Sequence, residues 1–170
     1  MPRYLVDSGA SRLRVQARSK IHDSQTTFSR ITGEVDADPA ALAGTGTRAR
    51  FAVAMADFDA GDWLKNRKLK GDLQLDRWPE ASFELRELRD VVKADDGGFT
   101  ATAIGALRYR GREIEISIAG RGRIDDREIA AQGSFDLDIR RVGMEPPKVL
   151  MFKVDPEVSV DIELRARASS

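Results

Sequence analysis

Alternation of apolar and polar residues with a period of two is the feature that most limits the folds open to this chain. Isoleucine occupies positions 114, 116 and 118, while positions 113, 115 and 117 carry glutamate or serine. Because successive side chains of a β-strand point to opposite faces, this pattern predicts a strand with one buried face. The alternation is clear in five segments: Arg12–Arg18, Thr47–Ala56, Arg112–Ala119, Ser134–Arg140 and Glu157–Arg165.

Weaker alternation fills much of the remaining chain, and turn-forming residues such as Asp-Pro and Asp-Gly separate the segments. A strand-to-turn spacing of about 8–12 residues is typical of an all-β meander, sandwich or barrel. No linker composition interrupts the pattern, so we predict a single domain over residues 1–170. The weaker candidate strands are Arg3–Asp7, Thr26–Asp36, Ser82–Val92 and Phe99–Arg110.

One segment, around residues 61–75, lacks alternation and predicts a short helical insertion between two strands. Leu69 and Leu73 are four residues apart and therefore share one helical face. We expect Gly71 to end or interrupt the helix and Pro79 to prevent its continuation. In a barrel, such an insertion is expected to cover one mouth.

Composition excludes several classes of chemistry. The chain has no cysteine, so disulfides, thiolate metal sites and cysteine nucleophiles are excluded. His22 is the single histidine, and a catalytic triad or a zinc site needs partners that converge on it in space. Lys+Arg and Asp+Glu each number 28 and are interleaved, which does not favour nucleic-acid binding. We therefore expect no enzyme activity, metal, cofactor or nucleic-acid partner.

The first residues contain no apolar run of the about 7–15 residues that a secretory signal requires. We expect a cytoplasmic protein, or a periplasmic one if the sequence is a processed form. The oligomeric state stays open, with a homodimer among the options. The segment Lys148–Val154 matches no pattern that we can place.

Small residues on one predicted strand face raise the question of an internal cavity. Ala101, Ala103 and Gly105 lie on the same face of the segment Phe99–Arg110. A barrel of about eight strands is either filled by its side chains or holds one small ligand. Small residues on the inner wall leave room for a ligand, or they mark places where another element packs closely. The residue pattern leaves both interpretations open.

A basic cluster lies on the predicted helix, at Lys65, Arg67, Lys68 and Lys70. These residues form either an ordinary solvated helix face or a contact for an anionic headgroup or membrane surface at the barrel mouth. Transient contact with a membrane surface is therefore one expected interaction.

Five ordered motifs, spanning almost the whole chain, carry a family likeness. Together they resemble the YceI-like family of polyisoprenoid-binding, lipocalin-like barrels. One departure concerns the helix. Many relatives have an arginine–aspartate–x–histidine–leucine run there, whereas residues 66–69 of this chain are NRKL. A headgroup role of the family histidine therefore does not transfer to this chain. The motifs are 4–13 (YLVDSGASRL), 28–36 (FSRITGEVD), 69–83 (LKGDL through WPEASF), 105–111 (GALRYRG) and 139–143 (IRRVG).

The resemblance implies an extended eight-stranded antiparallel β-barrel with an apolar tunnel. It implies binding, and carriage or storage, of a long apolar or amphiphilic ligand such as an isoprenoid or fatty-acyl chain. Two alternatives are a small-molecule hydrolase or isomerase that uses the cavity, and a ligand-free structural or partner-binding module. We expect Arg67 and Lys68 to contact a headgroup. The predicted apolar lining is Phe28, Ile31, Phe51, Val53, Met55, Trp63, Leu64, Leu69, Leu73, Trp78, Phe83, Ala103, Gly105 and Leu107.

Overall fold

A computed structural model describes residues 1–19, 23–146, 148–149 and 152–169. Within them the chain is almost entirely extended, with one α-helix, α1, at Trp63–Leu73. Two short 3-10 turns lie at Ser8–Ala10 and Ile139–Val142. The strands are β1 (Arg3–Val6), β2 (Arg12–Ser19), β3 (Ser24–Phe28), β4 (Ile31–Asp36), β5 (Arg48–Ala54), β6 (Phe58–Asp59), β7 (Glu80–Lys93), β8 (Gly98–Tyr109), β9 (Arg112–Ile124), β10 (Glu128–Asp138), β11 (Lys148–Val149) and β12 (Phe152–Ala168).

The sheet closes on itself. Its strands follow the order β1-β4-β5-β7-β8-β9-β10-β12, every pair is antiparallel, and β12 returns to pair with β1. Tyr4 lies opposite Val35 on one side and opposite Ala168 on the other. At the opposite end of the molecule, β2 replaces β1 beside β12, and β3 pairs with β2. The predicted eight-stranded antiparallel barrel is confirmed.

The predicted single strand Thr26–Asp36 is wrong in one respect, because it is divided into β3 and β4. At the break, the amide of Ser29 donates a hydrogen bond to the carbonyl of Asp57 at 3.1 Å. The carbonyl of Arg30 accepts from the amide of Ala54 at 3.0 Å. The backbone at the break thus bonds to the end of β5 and to the residue before β6. β3 then pairs with β2 and β6, whereas β4 pairs with β1 and β5.

Other strand boundaries also differ from the sequence-based expectation, and two of them have a local cause. Strand β9 continues to Ile124, beyond the predicted end at Ala119, because glycines at 120 and 122 hide the alternation without ending the strand. The segment predicted to extend to Arg140 ends at Asp138, where a 3-10 turn begins. There the Asp138 carboxylate accepts a hydrogen bond from the amide of Arg140 at 3.0 Å, which favours a turn over further pairing.

The helical insertion is confirmed between residues 63 and 73. The Asp62 carboxylate caps its start by accepting a hydrogen bond from the amide of Lys65 at 2.8 Å. The expectation for Gly71 is wrong, because the helix continues through it and ends at Gln74, which has a left-handed conformation with φ 50°. A single glycine costs a helix only about 1 kcal/mol, and the buried side chain of Leu73 holds the last turn against the barrel.

Two apolar clusters pack inside opposite ends of the barrel. We name them the Tyr4 end and the helix end. At the Tyr4 end, the phenol of Tyr4 is fully buried and donates a hydrogen bond to the carbonyl of Asp125 in the β9–β10 turn. Val35, Ala49 and Ile129 pack in the same cluster. The members of the cluster at the helix end are Phe28, Met55, Leu73, Tyr109, Leu137, Val142, Val158 and Val160.

Between these clusters, two aromatic rings lie along the wall over glycines of the neighbouring strands. Phe51 and Phe83 are cross-strand partners, with ring centroids 6.4 Å apart and planes inclined by 7°. A Cβ atom on Gly33 would lie 2.9 Å from the Phe51 ring, and one on Gly105 would lie 2.5 Å from the Phe83 ring. The two glycines therefore allow the rings to lie against the strands and leave the centre of the barrel free.

We expect Gly105→Ala to lower the free energy of unfolding by about 1–3 kcal/mol, the usual cost of overpacking. The added Cβ would lie 2.3 Å from the backbone oxygen of Glu84 as well as against Phe83, so the backbone has to shift. Gly46→Ala is the matched control, because a Cβ there meets nothing within 4 Å. Equal denaturant midpoints for the two variants would contradict the assigned packing.

Candidate functional site

A cavity of about 890 Å³ lies inside the barrel. Protein interiors pack as densely as organic crystals, and their ordinary voids hold little more than single water molecules of about 30 Å³ each. A cavity of this size is therefore far larger than an ordinary packing void and is part of the fold. Residues from the barrel strands and from α1 line it.

The cavity is elongated along the barrel. On β8 its lining runs from Phe99 to Tyr109, which corresponds to about 25 Å along the barrel axis for strands tilted by about 35–45°. Val35 and Ile129 from the Tyr4 end contribute to the wall, and so do Leu137 and Val158 from the helix end. The space therefore connects the two apolar clusters.

Apolar side chains form most of the wall, and charged residues border it only where solvent reaches them. Of the charged strand residues, Arg18 and Arg121 border the cavity, and both are exposed. Each charged lining residue is at least partly exposed, so none carries the cost of a fully buried charge. The charged lining residues are Arg18, Asp62, Lys65, Lys68, Asp72, Arg121 and Asp155.

Most of the predicted apolar lining residues lie on this wall. They come from five strands, from the turn after β5 and from α1, and they cover both the middle of the cavity and its helix end. Their contact with a ligand stays a prediction. The residues are Phe28, Ile31, Phe51, Val53, Met55, Leu64, Leu69, Leu73, Phe83, Ala103 and Leu107.

Three predicted lining residues are not on the wall, each for a physical reason. Trp63 begins α1 and is 72% exposed. Trp78 packs against the cluster at the helix end without bordering the cavity, and the guanidinium groups of Arg77 and Arg110 lie 5.1 and 5.8 Å from its ring centroid. Gly105 is covered by the ring of Phe83.

Both sequence-based interpretations of the small residues on β8 therefore hold, at different positions. Ala101 and Ala103 border free space, whereas Gly105 marks a close approach by Phe83. A row of small residues could not reveal this difference, because the Phe83 ring reaches Gly105 from the neighbouring strand.

Helix α1 lies across one end of the cavity. Leu69 and the buried Leu73 face the cavity, and so does Leu64, which is 63% exposed. Of the two predicted headgroup residues, Lys68 borders the cavity, whereas Arg67 is exposed and does not border it. The Nζ atom of Lys68 lies 3.7 Å from Oδ2 of Asp72. The helix thus presents both apolar and cationic groups at this mouth.

We expect Asp62→Ala to weaken the first turn of α1 by about 1 kcal/mol, because the amide of Lys65 loses its capping acceptor. Amide hydrogen exchange in α1 should accelerate, while exchange in β8 and β9 should not change. Asp76→Ala, which removes another exposed carboxylate after the helix, is the control. Unchanged exchange in α1 of the Asp62 variant would contradict the capping role.

Sequence reasoning missed Tyr109, a buried and titratable residue on the cavity wall. It is 7% exposed and packs among the apolar residues of the helix end. Burial raises its pKa above the usual value, and the nearby guanidinium of Arg110 offsets part of that rise. The sequence did contain a signal for this position, because residue 109 continues the inward face of Ala101, Ala103 and Leu107 with the same period of two.

Some sequence features fall outside what the structure describes. His22 lies outside the described residues. The segment Lys148–Val154 is described only in part, where β11 pairs with the first residues of β12. Among the described residues, no helix is long and apolar enough to cross a bilayer, and no group of three histidine or acidic residues is arranged to hold a metal ion.

Comparison with known families decides the relationship that the motifs suggested. The model of the YceI-like domain matches residues 4–166. The chain belongs to the YceI-like family. A search of curated proteins finds no match.

Solved structures with the same fold include proteins from three bacteria. A polyisoprenoid binding domain from Saccharophagus degradans, implicated in plant cell wall breakdown, has a TM-score of 0.76 and 16% identity and covers 99% of this chain and 100% of its own. BcnA from Burkholderia cenocepacia has a TM-score of 0.75 and 19% identity, with 94% and 98% coverage. The Campylobacter jejuni YCEI protein has a TM-score of 0.62 and 14% identity, with 85% coverage of each chain. At these identities the likeness shows the fold alone.

Proposed function

We propose that this YceI-like protein binds a long apolar or amphiphilic ligand, such as an isoprenoid or fatty-acyl chain, inside its barrel. The observation that carries the proposal is the elongated, apolar cavity of about 890 Å³. Ligand pockets in proteins span about 300–1,000 Å³ and have mainly apolar walls with few polar groups. The similar domain from Saccharophagus degradans, which is described as polyisoprenoid binding, supports this ligand class.

The hydrophobic effect would drive binding to such a wall. Each Å² of apolar surface removed from water stabilises the complex by roughly 25 cal/mol, less the cost of ordering the ligand. A flexible chain loses many conformations on entry, so a long ligand is needed for a useful surplus. We infer carriage or storage as the role of this binding, with residues 1–170 acting as one domain.

The chemistry of the wall favours binding over catalysis. Tyr109 is the buried titratable group on the described part of the wall. A phenol is already protonated near neutral pH, and burial raises the pKa of Tyr109 further. A protonated phenol donates hydrogen bonds but does not act as a general base. The hydrolase alternative therefore lacks an observation in its favour, and the ligand-free module leaves the cavity without a role.

Filling the cavity should abolish binding. We expect organic extracts of the purified wild-type protein to contain an apolar compound, detected by mass spectrometry. Ala103→Phe places a ring into the cavity, so its extracts should lack this compound. Thr100→Phe is the control, since it also introduces a phenylalanine, but at an exposed position of the same strand. A wild-type extract without any such compound, or equal amounts from both variants, would contradict the proposal.

We also propose that α1 contacts an anionic membrane surface while the ligand is exchanged. Trp63 and Leu64 are adjacent, highly exposed apolar residues next to the mouth. The helix carries four basic residues and one acidic residue, so its charge complements an anionic bilayer. Exposed aromatic and basic residues on one helix are typical of binding at a bilayer surface.

Arg67→Ala should lower affinity for vesicles that contain phosphatidylserine about fivefold, since each basic residue near an anionic surface contributes about 1 kcal/mol. Ligand content should not change, because Arg67 does not border the cavity. Arg48→Ala removes an exposed basic residue at the Tyr4 end and serves as the control. Sedimentation with phosphatidylcholine vesicles equal to that with anionic vesicles would contradict the proposal.

A further inference from the structure

The two ends of the cavity are bordered by different kinds of residue. Among the described lining residues, the charged ones other than Arg121 lie at the helix end, on α1, at its N-cap or at the adjoining ends of β2 and β12. Arg121 lies on the side wall and donates a hydrogen bond to the side chain of Gln132 at 3.2 Å. The lining at the Tyr4 end is apolar apart from the buried Thr47, whose hydroxyl donates a hydrogen bond to the carbonyl of Leu42 at 2.8 Å. Charged and exposed residues thus surround the helix end of the cavity and not its Tyr4 end.

The loop between β4 and β5, residues 37–47, covers the Tyr4 end. Its Leu42 is 4% exposed, borders the cavity and packs in the apolar cluster of this end. The loop is fixed to β7, because Gly44 and Leu88 exchange two backbone hydrogen bonds of 2.9 Å. The loop therefore holds Leu42 in place as part of the barrel end.

Packed side chains lie beyond Leu42. Tyr4 and Ala166 belong to the same cluster, are at most 1% exposed and do not border the cavity. The phenol of Tyr4 reaches from β1 to the β9–β10 turn, where the carbonyl of Asp125 accepts its hydrogen bond. Since β12 and β10 separate β1 from this turn in the barrel, the phenol crosses the end of the barrel. A ligand chain that extends toward the Tyr4 end therefore meets a packed floor.

We propose that this floor limits the length of the ligand chain, and that Leu42 and Ala49 determine where the limit lies. Both residues are buried in the Tyr4-end cluster and border the cavity. The lining along β8 spans about 25 Å, and an extended chain advances about 1.2 Å per single bond, as the peptide backbone does, so a chain of about 20 carbon atoms fits. This inference rests on the proposed function, because it assumes that the cavity holds a chain-like ligand.

The limit has a measurable consequence when the ligand comes from a bilayer. A methylene group that enters the barrel exchanges one apolar environment for another, so uptake changes little with each added group that fits. A methylene group that does not fit is left in water, which lowers uptake about fourfold. Uptake should therefore be even among short chains and should fall steeply beyond the limit.

The probe is a set of saturated fatty acids from dodecanoate to hexacosanoate, held in equal amounts in phosphatidylcholine vesicles. The protein is incubated with the vesicles and re-isolated, and its extract is compared with the vesicles by mass spectrometry. We expect the wild-type protein to take up the acids evenly as far as about eicosanoate, the length that fills the cavity. Longer acids should be taken up progressively less.

Two substitutions should move the limit in opposite directions. Ala49→Leu adds a larger side chain at the floor, and if two methylene groups are excluded, uptake of eicosanoate relative to dodecanoate should fall about fifteenfold. Leu42→Ala removes part of the floor and should extend even uptake to longer acids. A general loss of stability would lower the uptake of all acids alike and could not produce opposite shifts.

Ala41→Leu is the matched control, since it makes the same change at an exposed position of the same loop, and it should leave the limit unchanged. The same limit in wild type, Ala49→Leu and Leu42→Ala would overturn this inference and leave the proposed function intact. Even uptake of the whole series by the wild type would do the same. Absence of uptake of every acid by the wild type would overturn the proposed function itself.

Discussion

Backbone hydrogen bonding between the first and last strands of the barrel is the constraint on which the structure depends. β12 pairs with β1 at the Tyr4 end and with β2 toward the helix end, so the sheet has no open edge between these strands. Because the sheet is closed, all inward-facing side chains share one enclosed interior. Because eight tilted strands enclose only a narrow space, the size of the inward residues decides whether that space is filled or hollow.

The glycines of the wall affect whether the barrel interior is filled or hollow. Gly33 and Gly105 receive the rings of Phe51 and Phe83, which then lie against the strands. On β9 and β10, Gly120 pairs with Gly133, and both border the cavity without a side chain. Large aromatic residues thus contribute apolar surface without filling the centre, and the cavity remains continuous between the two apolar clusters.

The two ends of the cavity differ in chemistry. The Tyr4 end satisfies its buried phenol internally, through the carbonyl of Asp125. At the helix end, α1 places the basic residues Lys65 and Lys68 on the border of the cavity. The cationic helix that is proposed to contact a membrane surface therefore also borders the cavity.

The sequence by itself determined the strands, the barrel class, the helical insertion and the family, because period-two alternation and ordered motifs are local properties of the chain. Most of the lining residues that it predicted lie on the cavity wall, since parity along a strand decides which face a residue occupies. Parity did not predict the positions of Trp63, Trp78 and Gly105. The surroundings of Trp63 depend on the position of the helix, those of Trp78 on arginine stacking, and those of Gly105 on the ring of Phe83. Only the tertiary structure decided that the barrel is hollow, since the free volume depends on where rings from adjacent strands come to lie.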